Sequence, residues 1–382
     1  MMDTSFGKSF ADIELNRYKF VSHIEKLKEL ARGGDVYPVT IELDMVDFCN
    51  HDCWWCVDPN HGNNSLSPEF VSRLLQELKS LEVKGIVYKG GGEGMLHSAF
   101  AETIRDSKDL GFEVGVVTNG SRLKTAYKAV VQSADYLRVS IDGPTEETHR
   151  RLHKSRDFLD IIEGIRQVVS YREELQNRHP IIGLSFAMDF SMLEFVRDAV
   201  EMGDDLRVDY VLLRPPFFEE VGRESSMTLE GKKELMQAFE TEKATYKGTT
   251  TIMIDNWTSD TDARSGVFSG ASPRRGAYSK INVNGIEHVT GRCHASPLLA
   301  VITAEGEVYP CCNLRFIKKW SLGKIDYTRG VGFAEIWQSE RRKQVMEKIH
   351  KTECISHCTH PLSRYNEVIE YLRSPRYHNG FV

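Results

Sequence analysis

The 382-residue sequence contains no apolar run approaching the roughly 18 residues a membrane span needs. Its start, Met1-Met2-Asp3-Thr4-Ser5, lacks the basic stretch and apolar core of a secretory signal. It has no basic surplus. Forty-nine Lys+Arg against 55 Asp+Glu leave a net charge of −6, where a general nucleic-acid binder would be positive. It has no internal repeat and no low-complexity tract. These absences exclude a membrane protein, an exported one and a nucleic-acid partner as first readings, and they place the chain in the cytoplasm. What is present is globular: 41% apolar, 10% aromatic and 27% charged residues. That composition supports a sizeable core, and the length suits two or three domains.

Eight cysteines stand at 49, 53, 56, 293, 311, 312, 354 and 358. In a reducing compartment, clusters of this kind read as metal ligands rather than disulfides. Thiolates are soft donors that select zinc, Cu(I) or iron–sulfur clusters. The cysteines therefore pose the question of which metal they hold, and at how many sites.

Between the two groups of cysteines the chain alternates strand and helix patterns. Strand-like segments are Val39–Met45, Gly85–Tyr88, Val114–Thr118, Tyr136–Ile141, Ile181–Phe186 and Tyr210–Leu213. Helical periodicity marks 10–33, a segment opened by Ser67-Pro68, then 98–110, 123–133, 157–176 and 192–202. Six strand–helix alternations imply parallel strands with right-handed crossovers. Six units are too few for a closed eight-fold barrel, so an open, partial barrel is expected. Polar and glycine-rich residues follow the strands, on the face that carries chemistry in such folds. A further helix is expected at 229–247, then a long polar loop from Asn256 to about Asn284. Two helical segments follow at 333–350 and 363–373.

The first cysteine group is Cys49-Asn50-His51-Asp52-Cys53-Trp54-Trp55-Cys56. Three thiolates in eight residues suit three corners of a [4Fe–4S] cubane and leave one iron without a protein ligand. The competing reading is zinc, with His51 or His61 as the fourth ligand. Context favours the cluster, because the triplet follows the first strand and the run Gly90-Gly91-Gly92-Glu93 follows the second.

With these motifs in register, residues 37–218 resemble the radical S-adenosylmethionine (SAM) enzymes. That family carries C-x₃-C-x₂-C after its first strand, an aromatic residue (here Trp55) before the third cysteine, and Gly-Gly-Glu (here Gly91-Gly92-Glu93) after the second. The resemblance implies that Cys49, Cys53 and Cys56 ligate three irons and that SAM chelates the fourth. Reductive cleavage of SAM would yield a 5′-deoxyadenosyl radical that takes a hydrogen atom from substrate. Trp55, Gly91, Gly92, Glu93, Asn119, Ser140 and Arg151 are the implied cofactor contacts. His153 stands where a common form of the arginine motif has Arg. An external electron donor such as flavodoxin or ferredoxin is also implied.

Twelve residues separate Cys293 from Gly306 and four separate Gly306 from Cys311. This resembles the C-x₉₋₁₅-G-x₄-C pattern of the SPASM and twitch extensions, with a β-hairpin at Leu298–Thr303 and Glu307–Tyr309. Cys354 and Cys358 add two thiolates. Five cysteines are fewer than two auxiliary clusters use, so one auxiliary [4Fe–4S] cluster held by Cys293, Cys311, Cys354 and Cys358 is expected. The departure from pattern is C-x₃-C where C-x₂-C is commoner, and structural zinc is the alternative. Cys312 is left over, as a buried thiol or as a hydrogen-atom donor.

The implied architecture is α/β: an N-terminal helical extension (1–36), a partial (β/α)6 barrel (37–218), a helix and long-loop linker (219–292), and a twitch/SPASM-type auxiliary domain (293–382). The expected reaction is dehydrogenation of a small polar substrate such as a sugar, cyclitol or nucleotide derivative. Peptide modification is less favoured, because 36 residues before the first strand are too few for a peptide-recognition domain. Epimerisation through Cys312 and a non-catalytic zinc scaffold also stay open. Tyr88, Lys89, His97, Arg214 and Glu219, near strand ends, are candidates for a substrate base.

Overall fold

The computed structural model describes residues 19–56, 58, 61–216, 229–254, 280–283, 286–289, 293–294, 296–350, 369 and 372–373. A short helix α1 (Ile24–Ala31) precedes strand β1 (Thr40–Leu43). Alternation follows: α2 (Pro68–Ser80), β2 (Gly85–Tyr88), α3 (Phe100–Asp109), β3 (Glu113–Thr118), α4 (Leu123–Ser133) and β4 (Tyr136–Ser140). Two helices come next, α5 (Glu146–His153) and α6 (Phe158–Glu174). Then come β5 (Ile181–Ala187), α7 (Val196–Asp205), β6 (Tyr210–Arg214), α8 (Leu229–Thr245) and β7 (Thr251–Ile254). The C-terminal part adds β8 (Lys280–Val283), β9 (Ile286–Val289), β10 (Leu299–Ile302), β11 (Glu307–Tyr309), β12 (Gly323–Lys324), α9 (Phe333–Trp337) and α10 (Glu340–His350).

Local chemistry explains these elements. Ser67 caps α2 by accepting the Phe70 N–H, and Pro68 occupies its first turn. Val71, Leu74, Leu75 and Leu78 then fall on one buried face. Thr145 and Thr148 form a capping box at the start of α5. β5 is buried at every position, as a strand covered on both faces requires.

Among the described residues the main sheet has ten strands, in the order β12-β11-β10-β1-β2-β3-β4-β5-β6-β7. The run from β1 to β7 is parallel throughout. The α/β partial-barrel expectation holds, but two features differ from what the sequence predicts. The expected linker supplies a seventh unit, α8–β7, with β7 parallel to β6. The barrel strands therefore continue past residue 218. The expected loop at 256–284 also reaches into β8, which pairs with β9. The second difference lies at the opposite edge. β10 of the C-terminal hairpin pairs in parallel with β1, Thr40 opposite Leu299. Short strands of ordinary polarity gave no sign of joining the main sheet.

The helix-facing side of the sheet forms the main core with α2–α8. Inside the barrel, Ile181, Tyr210, Leu212 and Met253 cluster with Tyr136 and close the floor. Phe20, Leu27 and Leu30 pack on Leu298 and Ile369, so the N-terminal segment rests on the C-terminal part. No described helix is long and apolar enough to cross a membrane.

Asp209 ties three elements. It pairs with the buried Arg172 of α6 and accepts the Ile182 N–H of β5 at 2.7 Å, while Arg172 Nη1 also donates to Pro180 O. Asp209→Ala strands a buried guanidinium, and should lower unfolding free energy by about 3–5 kcal/mol in urea denaturation. Adding Arg172→Met should recover part of that loss.

Candidate functional site

β1 delivers the chain to Cys49, and the loop to Cys56 has no helix or strand of its own. Cys49, Cys53 and Cys56 are free and half-buried. The His51 N–H donates to Cys49 Sγ at 3.4 Å, and the Cys56 N–H to Cys53 O at 3.2 Å. Burial pushes the Cys49 thiol up to about 11, with Glu93 and Cys56 nearby adding to it. Burial also drives Cys53 well up, reinforced by Asp142, Cys56 and Cys49. Three thiols this close resist ionisation together unless a cation sits among them, and bound iron supplies that charge. The donor set thus fits a cluster with three protein ligands. The zinc alternative loses His51, whose two ring nitrogens are engaged elsewhere, and keeps His61, whose Nδ1 is buried without a hydrogen-bond partner among the described residues.

The glycine run packs directly on this loop. A Cβ on Gly92 would lie 2.2 Å from the Phe48 carbonyl oxygen, so only glycine allows the approach. Glu93 is buried and raised by that burial. Its Oε1 accepts from the Thr118 hydroxyl (2.7 Å) and the Met95 N–H (3.0 Å), and its Oε2 from the Asn119 N–H (2.7 Å). These hydrogen bonds hold the glycine run to the end of β3. Asn119 Nδ2 reaches Asn50 Oδ1 (3.0 Å) and lies 3.7 Å from Cys49 Sγ.

Behind the loop lies a buried network that the sequence did not predict. His51 Nδ1 and His153 Nδ1 are 3.0 Å apart. His51 Nε2 bonds Asp157 Oδ2 at 2.8 Å, and His153 Nε2 bonds Asp142 Oδ2 at 2.9 Å. Asp142 also accepts the Trp55 indole N–H (3.0 Å) and the Ala187 N–H (2.7 Å). Burial raises Asp142 and Asp157, but hydrogen bonds from the histidines outweigh it and hold both carboxyls low. His153 is pushed down by burial against the pull of Asp142. The signal that could have revealed this network was three histidines near Cys49–Cys56 and within α5.

A charged cluster lines the barrel beside the glycine run. Glu42 pairs with Lys89 (2.8 Å) and with Arg315 of the C-terminal part (3.0 Å). Asp44 is 1% exposed, 3.5 Å from Arg315, and neither oxygen has an aligned hydrogen-bond donor among the described residues. Burial lifts its carboxyl to about 7. Arg138 and Ser140 share the inner face of β4, since the alternate residues Leu137 and Val139 are buried against helices. Ser140 stands opposite Ser185, and Arg214 Nε lies 3.5 Å from the Ser185 hydroxyl.

Other expected residues fall elsewhere. Tyr88 is buried with its hydroxyl on Ser107 of α3, and His97 bonds the Leu66 carbonyl and the Ala99 N–H. Both serve packing rather than the lumen. Arg151 is exposed, with its guanidinium against Met192 Sδ. Glu219 lies outside the described residues. Cys293 and Cys311 are both buried, and the adjoining Cys312 together with burial drives the Cys311 thiol well up, with Cys293 adding to it. The hairpin between Cys293 and Cys311 forms as expected. Cys354 and Cys358 lie outside the described residues.

Residues 43–183 match the Radical SAM superfamily, and residues 293–360 match the iron–sulfur cluster-binding SPASM domain. The chain is a radical SAM enzyme. More narrowly, it belongs with those that carry a SPASM domain and auxiliary iron–sulfur chemistry in the C-terminal region. It is 26% identical over 164 residues to a protein of Thermococcus kodakarensis named a probable GTP 3′,8-cyclase, covering 41% of this chain and 53% of that one. It is 26% identical over 111 residues to an S-adenosylmethionine-dependent nucleotide dehydratase of Selenomonas ruminantium, covering 28% and 40%. The chain spans about half the length of the curated relatives it matches. In fold it is similar to Streptococcus suis SuiB bound to its precursor peptide SuiA, with TM-score 0.65, 14% identity, and 95% and 78% of the two chains covered.

Asp44 gives a pH test. Its carboxyl is raised in the folded state from an ordinary 3.8 to about 7, so its contribution to stability is complete below about pH 4 and is lost as pH rises toward 7. In urea denaturation, Asp44→Asn should flatten the part of the wild-type profile that declines between about pH 4 and 7.

Proposed function

We propose that the chain abstracts a hydrogen atom from a small anionic substrate of the nucleotide class, and that the outcome is dehydrogenation. The observation that carries the substrate class is the barrel lumen. Lys89, Arg138, Arg214 and Arg315 gather there against Glu42 and Asp44. Arg138 helps lower the carboxyl of Glu42 although β2 and β3 separate their strands, so the two side chains share the interior within electrostatic range. Guanidinium and ammonium groups gathered above an apolar floor are the donors that phosphate or carboxylate groups take. Two relatives with nucleotide substrates in their names support the same reading.

Cys49, Cys53 and Cys56 would hold the [4Fe–4S] cluster, which with bound SAM supplies a 5′-deoxyadenosyl radical. The protein's own part is placement. Gly92 lets the backbone of the run pack on Phe48 beside the cysteine loop, and Gly91 leaves room for the Asp58 and Phe316 side chains. Glu93 fixes that run to the end of β3. The apolar floor of Tyr136, Tyr210 and Met253 closes the lumen from below and excludes water. Lys89, Arg138 and Arg214 would orient the anionic end, so that a carbinol carbon faces the cofactor side. Asp44 has the burial and the raised carboxyl suited to exchanging a proton near neutral pH. Cys293 and Cys311 would hold part of a single auxiliary cluster, with Cys354 and Cys358 completing it, and that cluster would supply the acceptor for the one electron left on the substrate after the hydrogen atom and the hydroxyl proton have gone.

The test is anaerobic incubation of reconstituted enzyme with SAM, a reductant and nucleoside triphosphates, read by mass spectrometry. Nucleotide-dependent 5′-deoxyadenosine and a product short of two hydrogens are expected. A product of unchanged mass would replace dehydrogenation with cyclisation, and one short of water with dehydration. Turnover of peptides alone would overturn the substrate class.

A further inference from the structure

The loop that carries the three cluster cysteines has no regular structure, yet every residue between its cysteines is tied down. Asn50 Oδ1 accepts from Asn119 Nδ2. The Asp52 and Trp54 N–H groups donate to the His153 and Leu152 carbonyls, at 3.2 and 2.9 Å. These carbonyls end α5, where a helix leaves acceptors without intrahelical partners. The Trp55 indole is held by Asp142. The His51 ring is held between Asp157 and His153.

His153 is the hub of this arrangement. Its ring joins His51 to Asp142, and its carbonyl takes the Asp52 N–H. It is 1% exposed, and His149 stacks on it with ring centroids 4.4 Å apart. His149 in turn bonds the Ile141 carbonyl and lies 3.5 Å from Asp157. Such a chain leaves His51 a single seat. That seat matters because the His51 backbone N–H donates to Cys49 Sγ, on which Asn119 Nδ2 also converges at 3.7 Å.

We propose that the Asp157–His51–His153–Asp142 relay positions the cluster loop, and that through the His51 N–H it sets the environment of the Cys49 sulfur. The proposal rests on Cys49, Cys53 and Cys56 holding the SAM-binding cluster, and is independent of the substrate. A hydrogen bond to a cluster sulfur stabilises the reduced form and raises the potential. Partners that orient ligands are worth about 10–100-fold in metal affinity or activity. The imidazole nitrogens of His51, His149 and His153 lie within 4.8 Å of one another, which also suits a metal ion. Their hydrogen bonds to one another and to carboxylates account for the same closeness without one.

The test compares the full-length wild type with His153→Phe and His153→Gln after anaerobic reconstitution with iron and sulfide. The readouts are the midpoint potential of the SAM-binding cluster, followed by electron paramagnetic resonance, and the rate at which an iron chelator strips it. His153→Phe should shift the potential downward and speed stripping by about tenfold or more. His153→Gln, which keeps hydrogen-bonding atoms, should recover part of both. The auxiliary cluster and the far-ultraviolet circular dichroism should be unchanged. Should His153→Phe fail to fold, Trp55→Phe replaces the indole and so removes its N–H to Asp142 while leaving both histidines in place, and a smaller shift in the same direction is expected. Wild-type potential and stripping rate in the folded variant would overturn the proposal. So would zinc that a variant lacking Cys49, Cys53 and Cys56 binds and then loses when His51, His149 and His153 are replaced as well, since the histidines would then be a metal site.

Discussion

Three thiols crowded into one short loop cannot share a half-buried space as anions unless a cation joins them. The rest of the structure serves this constraint. β1 brings the chain to Cys49, the glycine run closes on Phe48, and the end of α5 supplies carbonyl acceptors for the loop's N–H groups. Each contact spends a backbone hydrogen bond on holding the loop still. The loop is thereby fixed around its three sulfurs.

The parallel sheet turns that local arrangement into a site. Strand C-terminal ends bring Glu93, Asn119 and Ser140 to the same rim, at positions far apart in sequence. Alternation along the strands separates two environments. Leu137, Val139 and their counterparts pack on helices, while Arg138, Ser140 and Arg214 face the interior. The C-terminal part is no appendage to this. β10 extends the sheet beside β1, the Ile302 carbonyl takes the Asp44 N–H, and Arg315 reaches Glu42. An iron–sulfur domain joined in this way shares the wall of the lumen.

Much of this was legible in the sequence, for physical reasons that can be named. Amphipathic spacing with a cap marked α2, and α4 fell on the expected residues 123–133. The C-x₃-C-x₂-C and Gly-Gly-Glu motifs were legible because cluster ligation and close backbone packing admit few substitutes. What stayed hidden depends on partners distant in sequence. β7 is four residues long, and only pairing with β6 makes it a strand. Arg315 looked like any surface arginine until the fold put Glu42 beside it. His51 and His153 are 102 positions apart, and neither carries a pattern that predicts their contact. The misplaced base candidates follow from the same limit. Tyr88 and Lys89 are neighbours in sequence, yet one faces the helices and the other the lumen.

The central claim is that Cys49, Cys53 and Cys56 leave one iron to be ligated by SAM. The direct measurement is electron–nuclear double resonance on the reduced enzyme with SAM isotopically labelled at its amino nitrogen and carboxylate. Hyperfine coupling from both labels to the cluster is the expected result. An intact three-cysteine cluster that shows coupling to neither label would contradict the account.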